Sequence, residues 1–266
     1  MQEVKAIVLR AAGINCDLET EYALALAGAK AKRLHINAII ARPDVLEACQ
    51  ILVFPGGFSY GDDVAAGKIL ANQVIHHLSD AVRKFIEDGK LVLGICNGFQ
   101  VLVKAGILPG VVNNESQAKG NGRQVTITYN DSGKFEDRWV YLQPGTERCV
   151  FIEPGKRIYL PIAHGEGKVV TENDEVLEKL KSRGHIGFRY VDANGDYGQY
   201  PVNPNGSTDS IAGLTDATGR VLGLMPHPER FVRHTQHPHW SRLKDKDRAD
   251  GMTIFNNAVR FVKENL

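Results

Sequence analysis

Short apolar, β-branched runs alternate along the first part of the chain with segments in which apolar residues recur every three or four positions. Val4 to Leu9, Ile51 to Phe54 and Leu91 to Ile95 are runs of the first kind, and Ala31 to Ile36 reads as a further strand between them. Near-continuous apolar runs bounded by polar or glycine-bearing loops predict strands covered on both faces of a parallel sheet. Between them, Asp17 to Leu26 reads as a helix stopped by Gly28, and Pro43 to Cys49 as a short helix with proline in its first turn. A longer helical period, Gly67 to Glu87, carries Ile69, Leu70, Val74, Leu78, Val82, Phe85 and Ile86 and ends at Gly89, with His76 and His77 as surface positions. Such alternation predicts an α/β architecture.

Beyond Gly110 the pattern changes. Gln124 to Tyr129 and Trp139 to Leu142 alternate in the manner of antiparallel additions to the sheet, and Asn113 to Arg123, just before them, reads as a mobile, polar connection. Ile158 to His164 is another strand, Asp174 to Ser182 a helix and Ile186 to Val191 a strand. Ile211 to Leu214 and Val221 to Leu224 form a hairpin across Asp216 to Gly219.

Candidate chemistry sits where these runs stop. The strand Leu91 to Ile95 breaks at Cys96, and a helical period starts at Asn97, with Gly94 and Gly98 two residues to either side. Glycines so placed allow a nucleophile to occupy a sharp strand-to-helix turn, where the helix N-terminus favours thiolate over thiol. The strand Ile51 to Phe54 ends in Pro55-Gly56-Gly57, where glycine permits close approach to a ligand. Because ligands bind off the carboxyl ends of strands in open parallel sheets, this loop and Cys96 are expected to face one crevice. The hairpin delivers His227 and Glu229, with Pro226 and Pro228 expected to hold them on one side of an extended chain, where a carboxylate can orient an imidazole. Cys16, at the start of the first helix, is a rival nucleophile that lacks the paired glycines. His164 and Glu166 form a second possible dyad.

Composition narrows the picture. A chain of 266 residues, 43% hydrophobic, can bury a large core and is expected to form a single domain over 1–266, with a core of about 4–230 and a helical extension of about 231–266. The net charge of +1, without a basic block, argues against nucleic acid as a partner. No apolar stretch is long enough to span a membrane. Met1 to Leu9 runs into a strand without a leader pattern, so the cytoplasm is the expected compartment. Four cysteines without CxxC spacing argue against a zinc ribbon or a disulfide framework. In the extension, His234, His237 and His239 are broken by Pro238 and share no helix face, so no metal is expected. Met252, Phe255, Ala258, Val259 and Val262, widened by Ile254 and Phe261, predict an amphipathic helix lying on the body near a sheet edge, with Lys244 to Arg248 as a solvated lead-in.

The motifs PGGFSYGD (55 to 62), GICNGFQ (94 to 100), PIAHGEG (161 to 167), NPNGS (203 to 207) and MPHPER (225 to 230) together resemble the class I glutamine amidotransferase family. They are most similar to its purine-biosynthetic branch, glutaminase subunits that supply ammonia to an ATP-dependent synthetase acting on formylglycinamide ribonucleotide. Ile14 departs from that branch, which more often carries a small hydroxyl residue there. The resemblance implies a flavodoxin-like fold, a mostly parallel central sheet flanked by helices with antiparallel additions. It makes Cys96 the nucleophile, His227 the acid and base and Glu229 its orienting carboxylate, with the oxyanion hole formed by backbone N–H groups of Gly57 and Asn97. Gly56, Gln100, His164 and Glu166 become substrate contacts for glutamine. It also implies two partners, the synthetase, which would hold ATP and magnesium, and a small accessory subunit, with no cofactor in this chain. Three other readings stay open: a glutaminase serving another synthase, a cysteine hydrolase of the protease-like branch, which would carry histidine where Asn97 stands, and a non-catalytic scaffold subunit.

Overall fold

The computed structural model describes residues 3–110 and 124–266. The polar stretch 113–123 lies outside the described residues. The chain runs β1 (Lys5–Arg10), α1 (Asp17–Leu26), β2 (Lys30–His35), α2 (Ile36–Ala41), β3 (Ile51–Phe54), α3 (Lys68–Gln73), α4 (Ser79–Glu87), β4 (Leu91–Ile95) and α5 (Asn97–Lys104). It continues with β5 (Val125–Thr128), β6 (Glu136–Pro144), β7 (Ile158–His164), β8 (Lys168–Thr171), α6 (Asp174–Ser182), β9 (Ile186–Val191), β10 (Ile211–Thr215), β11 (Val221–Leu224) and α7 (Met252–Asn265). The strands predicted from apolar runs are found within a residue or two of their expected bounds, and β3, β4 and β11 are buried at every position.

Nine strands form one sheet in the order β2-β1-β3-β4-β11-β10-β9-β6-β7. The first five pair in parallel, and every later neighbour is antiparallel. Burial on both faces runs through the middle of the sheet, across β3, β4, β11 and β10, while the edge strand β2 and the strand β6 carry half-buried and exposed positions. Three expectations need correction. The strand β5 is no addition to the main sheet: it pairs with β8 in a separate two-stranded sheet. The apolar stretch after β2 turns helical at once as α2, burying Ile36 and Ile39, and His35 caps it by accepting a hydrogen bond from the Asn37 N–H at 3.2 Å. The segment from Pro43 is only a single 3₁₀ turn, ending at Leu46. The long helical period between β3 and β4 is interrupted by one π turn, Val74–Leu78, which contains His76 and His77.

The extension crosses the body in 3₁₀ turns, and His237 enters an aromatic cluster with Trp139, Tyr159 and Phe231 at ring distances of 5.5–5.6 Å. The helix α7 follows, and it contacts α1 and the turn Pro228–Arg230. Ile254, Phe255, Ala258, Val259 and Val262 are buried, while Met252 and Phe261 lie at the margin of the stripe. Gly251 sits so close to the chain that a Cβ there would lie 1.9 Å from the Pro228 carbonyl oxygen, and its N–H donates to the Phe231 carbonyl at 2.9 Å. Removing everything after Arg233 uncovers this apolar contact. Since losing one buried phenylalanine alone costs about 3–5 kcal/mol, the midpoint of thermal unfolding is expected to drop by about 10 °C or more, as calorimetry would register. The surviving folded protein is expected to keep its turnover, because no side chain beyond Arg233 lines the cavity described next.

Candidate active site

The carboxyl ends of three neighbouring strands meet at one place: β3 runs into Gly56 and Gly57, β4 into Cys96, and β11 into His227. The pairing of β11 against β4, with Leu224 beside Ile95, is what brings the last of these to the second. The turn at Cys96 is as sharp as the sequence implies, with φ 50° and ψ −106° on a non-glycine residue, a strained conformation that costs on the order of 1–3 kcal/mol and persists only where its surroundings enforce it. The flanking glycines act through space rather than through their own torsions. A Cβ on Gly98 would lie 1.8 Å from the Phe54 carbonyl oxygen, and one on Gly94 would lie 2.5 Å from Leu102 Cδ1. Their absence of side chains lets α5 start directly against β3 and β4.

The imidazole of His227 donates from Nδ1 to Glu229 Oε1 at 2.6 Å, with both side chains buried. That bond places the proton on Nδ1 and leaves Nε2 as the reactive nitrogen. Burial by itself lowers the imidazole pKa, but the Glu229 carboxylate and then Cys96 more than offset it, so the group is held well above its ordinary value. The contact does not arise from an extended chain, as expected from the two prolines. Pro228–Arg230 forms a 3₁₀ turn that swings Glu229 back beneath the ring. The His227 N–H donates to the Pro161 carbonyl at 2.8 Å, fixing the turn to β7. Although β7 is last in the strand order, its Ala163 carbonyl lies 3.8 Å from Cys96 Sγ, so the antiparallel half of the sheet curls back over Cys96.

A cavity of about 220 Å³ opens at Cys96, lined by Gly57, Gln100, His164 and Glu166 among the residues expected from sequence. It is also lined by Phe58, Asp62, Ala66, Tyr129, Phe135, Ala163 and Gly165, which sequence reasoning missed. Phe58 and Phe135 stack at 6.4 Å, and both are exposed. Gly56 lies behind the cavity, where a Cβ would meet His227 Cε1 at 2.8 Å. The N–H of Asn97 belongs to the first turn of α5, whose donors have no intrahelical acceptor. The Asn97 side chain donates to Asp62 Oδ1 at 3.1 Å and to Gln100 Oε1 at 2.9 Å. Gln100 in turn donates to the Glu166 carbonyl, so its amide is already engaged within the protein. Asp62 also accepts from the Gly67 N–H at 3.0 Å, and burial raises its carboxyl above the usual range.

His164 and Glu166 do not assemble as a dyad. His164 Nδ1 faces Asn130 Oδ1 at 3.1 Å, whereas the Glu166 carboxylate lies 4.0 Å from Lys104 Nζ. Asn130, which sequence reasoning did not single out, also donates to the His164 carbonyl at 2.8 Å and accepts from the Gly167 N–H at 3.0 Å. Burial, reinforced by nearby His227, pushes His164 down to about 3, so the ring stays neutral. A histidine with a depressed pKa binds fewer protons folded than unfolded, so the stability it permits is present above about pH 6.5 and lost as the pH falls from there towards 3. Between pH 6.5 and 5 the wild type is expected to lose roughly 1.5 kcal/mol more than His164→Asn, measured as the difference between their urea denaturation curves.

Cys16 lies against the same imidazole. Its Sγ accepts from Arg230 Nη2 at 3.1 Å, and Arg230 Nε donates to Glu19 at 3.0 Å, tying α1 to the turn that carries Glu229. Ile14 and Gly57 form a lone antiparallel bridge beside it. Burial pushes the Cys16 thiol up to about 11 despite the neighbouring His227, as expected of a protonated, unreactive sulfur.

Residues 3–262 match the CobB/CobQ-like glutamine amidotransferase domain. The chain is 47% identical over 266 residues to phosphoribosylformylglycinamidine synthase subunit PurQ of Dehalococcoides mccartyi, covering 99% of this chain and 100% of that one. It is 41% identical to the PurQ subunit of Archaeoglobus fulgidus, with 99% and 98% covered. Among solved structures, a chain in the structure of PurLQS from Thermotoga maritima superposes with a TM-score of 0.72 at 31% identity, covering 98% of this chain and all of that one. A glutamine amidotransferase from Thermotoga maritima shares the fold, with a TM-score of 0.52 at 17% identity, covering 99% of this chain and 94% of that one.

Proposed function

The chain belongs to the CobB/CobQ-like glutamine amidotransferase family, and from that premise we infer that it is the glutaminase subunit of a phosphoribosylformylglycinamidine synthase. As an enzyme of purine biosynthesis it works in complex with the synthetase subunit PurL. The observation that carries the assignment of chemistry is the convergence of a strained Cys96 and a buried His227–Glu229 pair at the ends of adjacent parallel strands.

The reaction we propose runs on these three side chains. The Cys96 thiol gives its proton to His227 Nε2, the resulting thiolate attacks the side-chain amide carbon of glutamine, and the tetrahedral oxyanion is held by the N–H groups of Gly57 and Asn97. Losing one such donor typically raises the barrier by about 3 kcal/mol. His227 Nε2–H then protonates the departing nitrogen, which leaves as ammonia, and the neutral nitrogen takes a proton from water as that water attacks the γ-glutamyl thioester. Glutamate leaves and the thiol is restored. Glu229 keeps the ring in the tautomer this needs and stabilises the imidazolium that forms within each half. Gln100, His164 and Glu166 line the glutamine cavity, with Gln100 and His164 supporting its wall and Gly56 behind it leaving room for the His227 ring.

Ammonia then passes to PurL, which we propose holds the ATP and magnesium for amidation of formylglycinamide ribonucleotide, with a small accessory subunit completing the complex in the cytoplasm. Among the described residues no helix is long and apolar enough to cross a membrane. Residues 1–266 are proposed as one amidotransferase domain. Reconstitution with the synthetase tests the reading: amidation of formylglycinamide ribonucleotide from glutamine should require this chain, whereas amidation from ammonium salts should not. Equal glutamine-driven synthesis without the chain would overturn it.

A further inference from the structure

We propose that Cys16, His227 and Glu229 form a capture site for a thiophilic divalent cation, Zn²⁺ or Cd²⁺, whose occupation withdraws His227 from glutamine hydrolysis. The effect on turnover rests on the triad reading given above; the binding does not. One ligand atom from each of the three residues lies within 4.8 Å of the others, and all three residues are buried. Glu229 Oε2 is buried without a hydrogen-bond partner, so the carboxylate keeps a free oxygen for an ion that takes His227 at Nδ1, the nitrogen facing Glu229 and Cys16. Thiolate, imidazole and carboxylate together are the ligand types that zinc takes, at bond lengths of about 2.0–2.3 Å. Tetrahedral ligands on such bonds lie roughly 3.5 Å apart, so the three groups need to draw together only slightly.

The proposed chemistry of hydrolysis has no use for Cys16, yet the backbone is thinned to let it reach the imidazole. A Cβ on Gly56 would sit 3.1 Å from Cys16 Sγ and 2.8 Å from His227 Cε1, filling the space between loop and ring. On binding, the cation displaces the Cys16 thiol proton and the His227 Nδ1 proton to solvent, taking the sulfur as thiolate and the ring nitrogen by its lone pair. The Arg230 guanidinium at 3.1 Å works against a dication but favours the thiolate, and its other bond, to Glu19 at 3.0 Å, anchors it away from the metal. Water completes the shell.

Titrating the full-length chain with Cd²⁺ and following the ultraviolet thiolate-to-cadmium absorption reads the site without reference to activity. Wild type is expected to bind one Cd²⁺ per chain, and Cys96→Ala to bind it still. Cys16→Ala and Cys16→Ser should both weaken binding by about 10-fold or more, at least the loss seen when an outer-shell partner of a metal is removed. In the complex with the synthetase, Cys16→Ala should keep its glutamine turnover and become less sensitive to Zn²⁺ by the same factor. The proposal is overturned if wild type binds no Cd²⁺, or if the two Cys16 variants bind it as wild type does, which would put the ion on Cys96 or on the histidines at 234, 237 and 239. Should the chain fail to hydrolyse glutamine at all, the cadmium titration still decides the site.

Discussion

Replacing Cys96 with alanine is expected to abolish glutamine hydrolysis, by on the order of 10⁶-fold in kcat, the scale on which losing a triad nucleophile removes acyl-transfer catalysis. The fold should survive, because the substitution removes one sulfur from a turn held by the Cys96 N–H to Leu224 carbonyl bond at 2.8 Å and by the close packing of Gly94 and Gly98. Ammonia-dependent synthesis by the complex should therefore persist while glutamine-dependent synthesis disappears. Cys16→Ala is the matched control, since its buried sulfur faces the same histidine but sits on no strained turn and does not line the cavity at Cys96. Undiminished glutamate release by Cys96→Ala, measured beside Cys16→Ala, would remove the nucleophile assignment.

His227→Asn is expected to cost as much as losing the cysteine, on the order of 10⁶-fold, because one imidazole carries the proton in both halves of the reaction. Glu229→Gln should retain more activity, falling on the order of 10⁴-fold, since a carboxylate that orients the ring and stabilises its charge is less indispensable than the ring. The order of the two losses is the test, together with His164→Asn, which should leave the acid–base step in place because His164 is held neutral beside Asn130. If Glu229→Gln and His164→Asn were both dead while His227→Asn stayed active, the acid–base group would be His164. Rates of ammonia release in the three variants decide between these orders.

Much of this site can be read from local features. Gly94-Ile95-Cys96-Asn97-Gly98 marks its own turn, because only a strand end followed at once by a helix start needs glycine on both sides, and the period of apolar residues changes at that point. His227 and Glu229 are close in sequence, so any compact turn brings them together, and the error over its shape, a 3₁₀ turn instead of an extended segment, did not hide the pair. Asn130, by contrast, holds the cavity wall from a turn distant in sequence, and no local signal marks it.

The sequence by itself determined where the strands and most helices lie, that the first half of the sheet is parallel, and that Cys96 sits at a strained elbow. These follow from periodicity and from steric needs within a few residues, which the chain states locally. Only the tertiary structure decided that β11 lies against β4 and not elsewhere in the sheet, which is what delivers His227 to Cys96. It also separated β5 and β8 into their own sheet, curled β7 over Cys96, held His164 neutral beside Asn130, and set Cys16 against the imidazole. Each of these depends on which apolar faces bury one another across long sequence separations. That choice is made by the summed packing of the whole core, and no single segment encodes it.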